Sequence, residues 1–163
     1  MITHYASQKI LSNMFALSNS TFGSQCYLGL STTEPNQAKG ENNWNVSEPG
    51  EDGTGYERIL LGDRGSSSNS TIPESVRLIE FNKETQTYIT NKKEIHFNIA
   101  TTDWGTISYV CIFEVINNKT SNLLAYGAIL KDGEPTSINV TQGSVVVIPV
   151  NGFKIGIDDS LGQ

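Results

Sequence analysis

Residues 94–100 alternate without interruption, with Ile95, Phe97 and Ile99 falling on one side and Glu94, His96 and Asn98 on the other. A period of two marks a strand with one face on a core and one in water, and a helix would scatter these apolar residues around its circumference. From Gln25 onward such runs recur, cut by turn signals at residues 117–121, 131–135, 141–143 and 151–152. Asn151-Gly152 between apolar flanks predicts a type I′ turn, because those two residues best tolerate the two positive φ angles required. Residues 122–130, 136–140, 144–150 and 153–157 therefore read as successive hairpin strands. Pro149 places the strand that holds it at an edge or bulge, since it has no N–H to donate.

Residues 106–116 differ from the alternating strands. Ile107, Tyr109, Cys111, Phe113 and Val115 form one face, and the other also carries Val110, Ile112 and Ile116. A strand apolar on both faces is predicted to be central and covered on both sides. Near the amino terminus, Tyr5, Ala6, Ile10, Met14, Phe15 and Leu17 follow helical spacing, with Thr3 placed as an N-cap. Eight or nine short strands behind one helix predict a mainly β fold, a two-sheet β-sandwich of jelly-roll type with a short N-terminal α-helix. Residues 1–24 form the helix and linker, part of the same domain as the β-sandwich of residues 25–163.

At 163 residues the chain is long enough for one core that needs no metal or disulfide. Charged residues make up only 17% of it, and Ser, Thr, Asn and Gly supply the polarity instead. The net charge of −6 argues against a surface that tracks phosphates, so nucleic acid is not an expected partner. The longest apolar run, residues 145–150, is too short to span a bilayer, and no basic, apolar leader opens the chain, so no membrane partner is expected. Cys26 and Cys111 lie in apolar runs and read as buried thiols. A disulfide between them would need adjacent strands with the right Cβ geometry.

Chemistry has few places to reside. His4 and His96 are far apart, and neither has Cys, Asp or Glu at metal-ligand spacing. The glycines of residues 50–57 are not followed by a helical pattern, so they read as a turn and not as a phosphate loop. Two acidic groups, Glu48 with Glu51 and Asp52, and Asp158 with Asp159, match no calcium loop. No catalytic, metal or cofactor residue is assigned. The long polar stretches 32–57 and 62–75 are the expected contact surfaces. Trp44, in the first, reads either as a stacking platform for a sugar or partner or as a lid folded over one end of the sandwich. Trp104, leading into a strand, reads as a plug of the core.

The ordered motifs YLGLSTTEPN, EPG, GTGYERI, NKKEIHFNIAT, WGTISYVCIF, NLLAYG and VVVIPVNGFKIGI run from about residue 26 to 157. In that order they resemble a family of small phage virion proteins described as tail-fibre-like. Residues 48–55 and 62–75 are longer than the resemblance leads one to expect. The resemblance implies a non-enzymatic virion structural protein, tail-fibre-like or a capsid or tail accessory, made in the host cytoplasm and assembling with other virion proteins. By analogy to phage appendages it also implies a homo-oligomer, a trimer. Ile10, Met14, Val110, Ile112 and Ile116 are the expected assembly surface. Two rivals remain: a carbohydrate-binding module that recognises a host surface glycan through Trp44, and a small glycan hydrolase whose paired acids only the fold would bring together.

Overall fold

The computed structural model describes residues 10–11, 25–37, 44–50, 52–63, 78–81, 88–116 and 120–156. These form a mainly β protein of short antiparallel strands. The first eight are β1 (Gln25–Ser31), β2 (Asn36–Gln37), β3 (Trp44–Asn45), β4 (Ile59–Asp63), β5 (Ile79–Phe81), β6 (Tyr88–Asn91), β7 (Ile95–His96) and β8 (Gly105–Ile107). Then follow β9 (Tyr109–Ile116), β10 (Thr120–Ala128), β11 (Leu130–Lys131), β12 (Glu134–Pro135), β13 (Ile138–Val140), β14 (Val147–Ile148) and β15 (Lys154–Gly156).

The longest strands make one four-stranded sheet in the order β10-β9-β1-β4. Its central position explains why β9 is apolar on both sides. Leu28 pairs with Ile112 and Leu30 with Val110 on the face that meets the main core, while Gly29 pairs with Cys111 and Ser31 with Tyr109 on the opposite face. Cys111, Ile112 and Phe113 are all buried, so both faces are covered within this one chain. Ile107 is not part of this strand. The run predicted as residues 106–116 divides at Ser108, whose N–H donates to the Ser31 carbonyl at 3.0 Å, and Ile107 pairs with Ile138 in a separate sheet.

The other strands form a long nested ribbon. Tyr88 pairs with Gly156, Ile95 with Ile148 and Ile107 with Ile138, so residues 88–107 run antiparallel to residues 138–156 in a register that drifts by only one or two residues. The β9–β10 hairpin and the small β11–β12 hairpin lie within its closed end. Ile79, Ile89, Ile95, Phe97, Ile107, Val140, Val146 and Ile148 project from the ribbon and β5 into the same core as Cys26, Leu28, Leu30 and Ile112 of the four-stranded sheet. Leu11 is buried in that core too. Apart from Ile10 and Leu11, which have helical backbone, the expected amino-terminal helix lies outside the described residues.

Three expectations are corrected here. The strands after residue 135 are not successive hairpins: β13, β14 and β15 each pair back to β8, β7 and β6. Hydrogen bonding thus defines one four-stranded, one three-stranded and four two-stranded sheets among the described residues, and the jelly-roll sandwich is a finer arrangement than these pairings define. Asn151-Gly152 does not form a type I′ hairpin. Only Asn151 takes a positive φ, +59°, and the Gly152 N–H closes a tight turn onto the Pro149 carbonyl at 2.8 Å, which sends the chain from one small sheet to the next. Ile99 is 60% exposed instead of sharing the buried face of Ile95 and Phe97, because Ala100 takes the buried position next to it and donates its N–H to Ser144 at 2.9 Å.

Asn91 bolts that last redirection in place. It is fully buried, donates through Nδ2 to the carbonyls of Lys93 and Pro149 at 2.8 and 2.7 Å, and accepts from the Phe153 N–H at 3.2 Å. An Asn91→Leu replacement keeps the branching of the side chain and strips these partners, at about 1–3 kcal/mol for each buried group left unpaired. We expect a loss of about 3 kcal/mol and a fall in Tm of about 6–12 °C in calorimetry. An unchanged Tm would mean that the bolt does not hold the turn.

Candidate functional site

Strand β1 is flanked by β9 along its whole length, but β4 accompanies it only as far as Leu28. Beyond that point the edge of β1 is exposed to whatever folds back on it, and residues 44–58 do. The Leu30 N–H donates to the Tyr56 hydroxyl at 2.9 Å, so a phenol stands in for the missing strand. Tyr56 in turn donates to the Glu48 carboxylate at 2.6 Å. Arg58 grips the same carboxylate, with Nε at 2.9 and 3.1 Å from its two oxygens and Nη2 completing the fork, and its guanidinium lies 3.6 Å above the Phe113 ring. Gly29 makes room beneath: a Cβ there would approach Glu48 Oε1 and Phe113 to 2.8 Å and the Tyr56 hydroxyl to 3.0 Å.

This clamp makes the described residues 44–50 and 52–57 of the polar stretch a cover for the second face of the four-stranded sheet. Ser47 is tied to residues 31–33 by the Thr32 N–H to its carbonyl at 2.9 Å, by its own N–H to Ser31 Oγ at 3.2 Å, and by Thr33 Oγ1 to its hydroxyl at 2.8 Å. Trp44, four residues before Glu48, is thereby laid beside Tyr126, with ring centroids 5.7 Å apart. Tyr126 meets Tyr109 at 6.3 Å in an edge-on contact, and its hydroxyl lies 3.5 Å from Glu34. Trp44 and Tyr126 are each 39% exposed, so the row is fixed by its own contacts and still open to solvent.

A bulge puts Tyr126 there. The register of β10 against β9 slips between Leu123 and Ala125, which brings Tyr126 opposite Cys111 on the outer face instead of toward the core. Tyr109 also borders an open depression of about 450 Å³ lined by Ser108, Ala128, Pro135, Thr136 and Ser137. Three ring faces, one carboxylate and three hydroxyls thus share one surface. Tyr126, Tyr109 and Glu34 were not singled out from the sequence, because strict alternation along β10 would have sent Tyr126 inward.

The other expected site residues fall elsewhere. Of the proposed assembly surface, Ile112 is buried in the core, Val110 is half-buried against it, and Ile10 is exposed. Met14 and the side chain of Ile116 lie outside the described residues. Trp104 is buried, packs edge-on to Tyr56 at 5.3 Å and donates Nε1–H to the Thr54 carbonyl at 2.8 Å. Cys26 and Cys111 are buried, and neither is in a disulfide. Their strands are neighbours but they face opposite sides of the sheet, Cys26 across from Glu114 and Cys111 across from Gly29. His96 is exposed beside Glu94, and His4, Glu51, Asp158 and Asp159 lie outside the described residues. Glu48, one of the acids considered for a cation, is occupied by Arg58 and Tyr56. Among the described residues no three His, Cys, Asp or Glu cluster as metal ligands, and no helix is long and apolar enough to cross a membrane.

The described residues thus form a strand-rich scaffold that carries an open aromatic row. The family model for Podophage GP4 fiber I protein gp80 matches residues 1–156, and the chain belongs to that family of phage fibre proteins. No curated protein and no solved structure matches it. Membership makes the chain a component of the virion.

Burial, reinforced by the nearby Glu48 carboxylate and partly offset by Arg58, pushes the Cys111 thiol up to about 12. Burial and Glu48 also raise the Tyr56 phenol above its usual value. Both groups are held neutral in the fold but ionise freely in the unfolded chain. Their contribution to stability is therefore intact below the unfolded thiol value of about 9 and is lost as pH rises from there toward 12. Stability should fall by about 1.4 kcal/mol per pH unit for the thiol above pH 9, and the phenol adds to the slope only above its own unfolded value of about 10. A Cys111→Ala variant should lose less across pH 9–11 in urea titrations; parallel curves would refute the assignment.

Proposed function

We propose that the chain is a non-enzymatic structural component of a phage fibre or of a tail or capsid accessory, made in the host cytoplasm and built into the virion with other virion proteins and with copies of itself, as a trimer. The observation that carries this reading is the family match over nearly the whole chain. A rigid polar β scaffold is what such a part requires, and many short strands locked by one register supply it. Self-association is supported by apolar side chains left in solvent on the β7–β14 ribbon, with Ile99, Val145 and Val147 exposed on its two paired segments, and by Ile10. The expected participation of Met14, Val110 and Ile116 belongs to the same proposal; Ile112 acts through packing beneath it.

A second reading, recognition of a host surface glycan, is favoured by one specific observation: Trp44 is half in solvent yet held against Tyr126. Glycoside cleavage has less support, because it needs two acids across a sugar and, among the described residues, the row with its depression contains one, Glu34.

Gold-tagged antibody against this chain should decorate the fibres or other appendages of purified virions in electron micrographs, and sedimentation equilibrium of the purified protein should give a trimer that Val147→Glu converts to monomer. Unlabelled virions together with a monomeric wild type would overturn the proposal.

A further inference from the structure

We propose that Trp44, Tyr126 and Tyr109, with Glu34 and the hydroxyl-lined depression beside Tyr109, form a binding site for a neutral saccharide. The inference rests on the glycan-recognition reading above and deepens it by naming the site and the class of sugar. A pyranose presents flat C–H faces to an aromatic ring and a rim of hydroxyls to polar groups, so its recognition needs both kinds of wall at one place. Both are present here. The ring centroids of the row follow one another at 5.7 and 6.3 Å, and Tyr109 continues it into a depression of about 450 Å³, within the usual range of ligand sites of about 300–1,000 Å³.

The polar wall is unspent. The N–H groups of Ser108 and Thr136 are committed to the Ser31 and Ile129 carbonyls, while the hydroxyls of Ser108, Thr136 and Ser137 have no partner among the described residues. Glu34 adds an acceptor at the Tyr126 end. The rings stand on the outer face of the four-stranded sheet and on the clamped segment, so little ordering remains to be done when a sugar arrives. The openness of the depression suits a stretch within a chain of sugars instead of a small molecule that must be engulfed.

Charge selects the class. Among the described residues no Lys or Arg lines the row or the depression, Glu34 sits at one end, and the whole chain carries −6. An acidic sugar or a phosphorylated glycan would bring a negative charge to a surface with no cation among its described residues to receive it. Neutral hexoses meet no such opposition.

The test is a printed array of neutral hexose oligosaccharides and of sialylated and glucuronate-containing ones, probed with the full chain and followed by calorimetric titration of the best binder. Wild type should bind at least one neutral oligosaccharide. Trp44→Ala and Tyr126→Ala should weaken it about tenfold or more with Tm unchanged, and Thr136→Val, which leaves the rings untouched, should weaken it at least about threefold. Neutral-sugar binding that survives all three variants overturns this site while leaving glycan recognition standing elsewhere on the chain. Preference for acidic oligosaccharides overturns the assigned class. No binding by wild type overturns both the site and the reading beneath it, and a shift of Trp44→Ala or Tyr126→Ala toward monomer in sedimentation would reassign the row to contact between copies.

Discussion

The Glu48 carboxylate, held between Arg58 and Tyr56 above Gly29, is the interaction on which the upper half of the molecule depends. It converts the described residues 44–50 and 52–57, mostly polar, into a cover for a sheet face. Removing any partner exposes the consequence. Without the phenol the edge of β1 loses its acceptor; without Arg58 a partly buried carboxylate keeps the Tyr56 hydroxyl but loses its counter-charge; with a side chain at position 29 the carboxylate has no room. The partly exposed ion pair contributes less through its Coulomb energy than through the geometry that it enforces. Trp44 is where it is because Glu48 is where it is.

The other half of the molecule is organised by a different constraint, the single register of the nested ribbon. Strands of two or three residues are too short to persist alone. Here each is one rung of a ribbon that begins at Tyr88, turns back through the β9–β10 hairpin and ends at Gly156, so the short strands share one alignment. Breaks in the ribbon occur where the chain must change sheets, at Ser108 and at the turn that Asn91 fastens. The platform that bears the aromatic row is therefore built on the most extensively paired strands, while the clamp brings the remaining ring to it. A fibre component that must survive outside a cell and still present a fixed surface gains from both.

Much of this was legible in the sequence. The clean alternation of residues 94–98, the two-sided apolar run that became β9, the burial of Cys26, Cys111 and Trp104, and the ordered motifs that resemble phage fibre proteins all reflect local periodicity or composition. What was hidden depended on non-local geometry. The bulge after Leu123 turns Tyr126 outward, and nothing in NLLAYG announces it. Asn151-Gly152 has the chemistry of a hairpin turn, but Asn91, sixty residues away, accepts the Phe153 N–H that would have closed it. Ile99 fits the buried face by spacing and loses the place to Ala100, whose N–H donates to the Ser144 carbonyl of the partner segment. Ile112 was read as available for assembly because the sequence does not show that the nested ribbon and β5 close over that face of the strand.

The central claim is that residues 44–58 are locked onto the four-stranded sheet and hold Trp44 in a preformed row. Amide-resolved hydrogen exchange measures this directly, because the Leu30 and Thr32 amides owe their protection to acceptors on the folded-back segment, the Tyr56 hydroxyl and the Ser47 carbonyl. The account predicts that both exchange within about tenfold of the protected amides of β9. Exchange of these two at the rate of free chain, with β9 still protected, would show that the cover is not closed in solution and would contradict it.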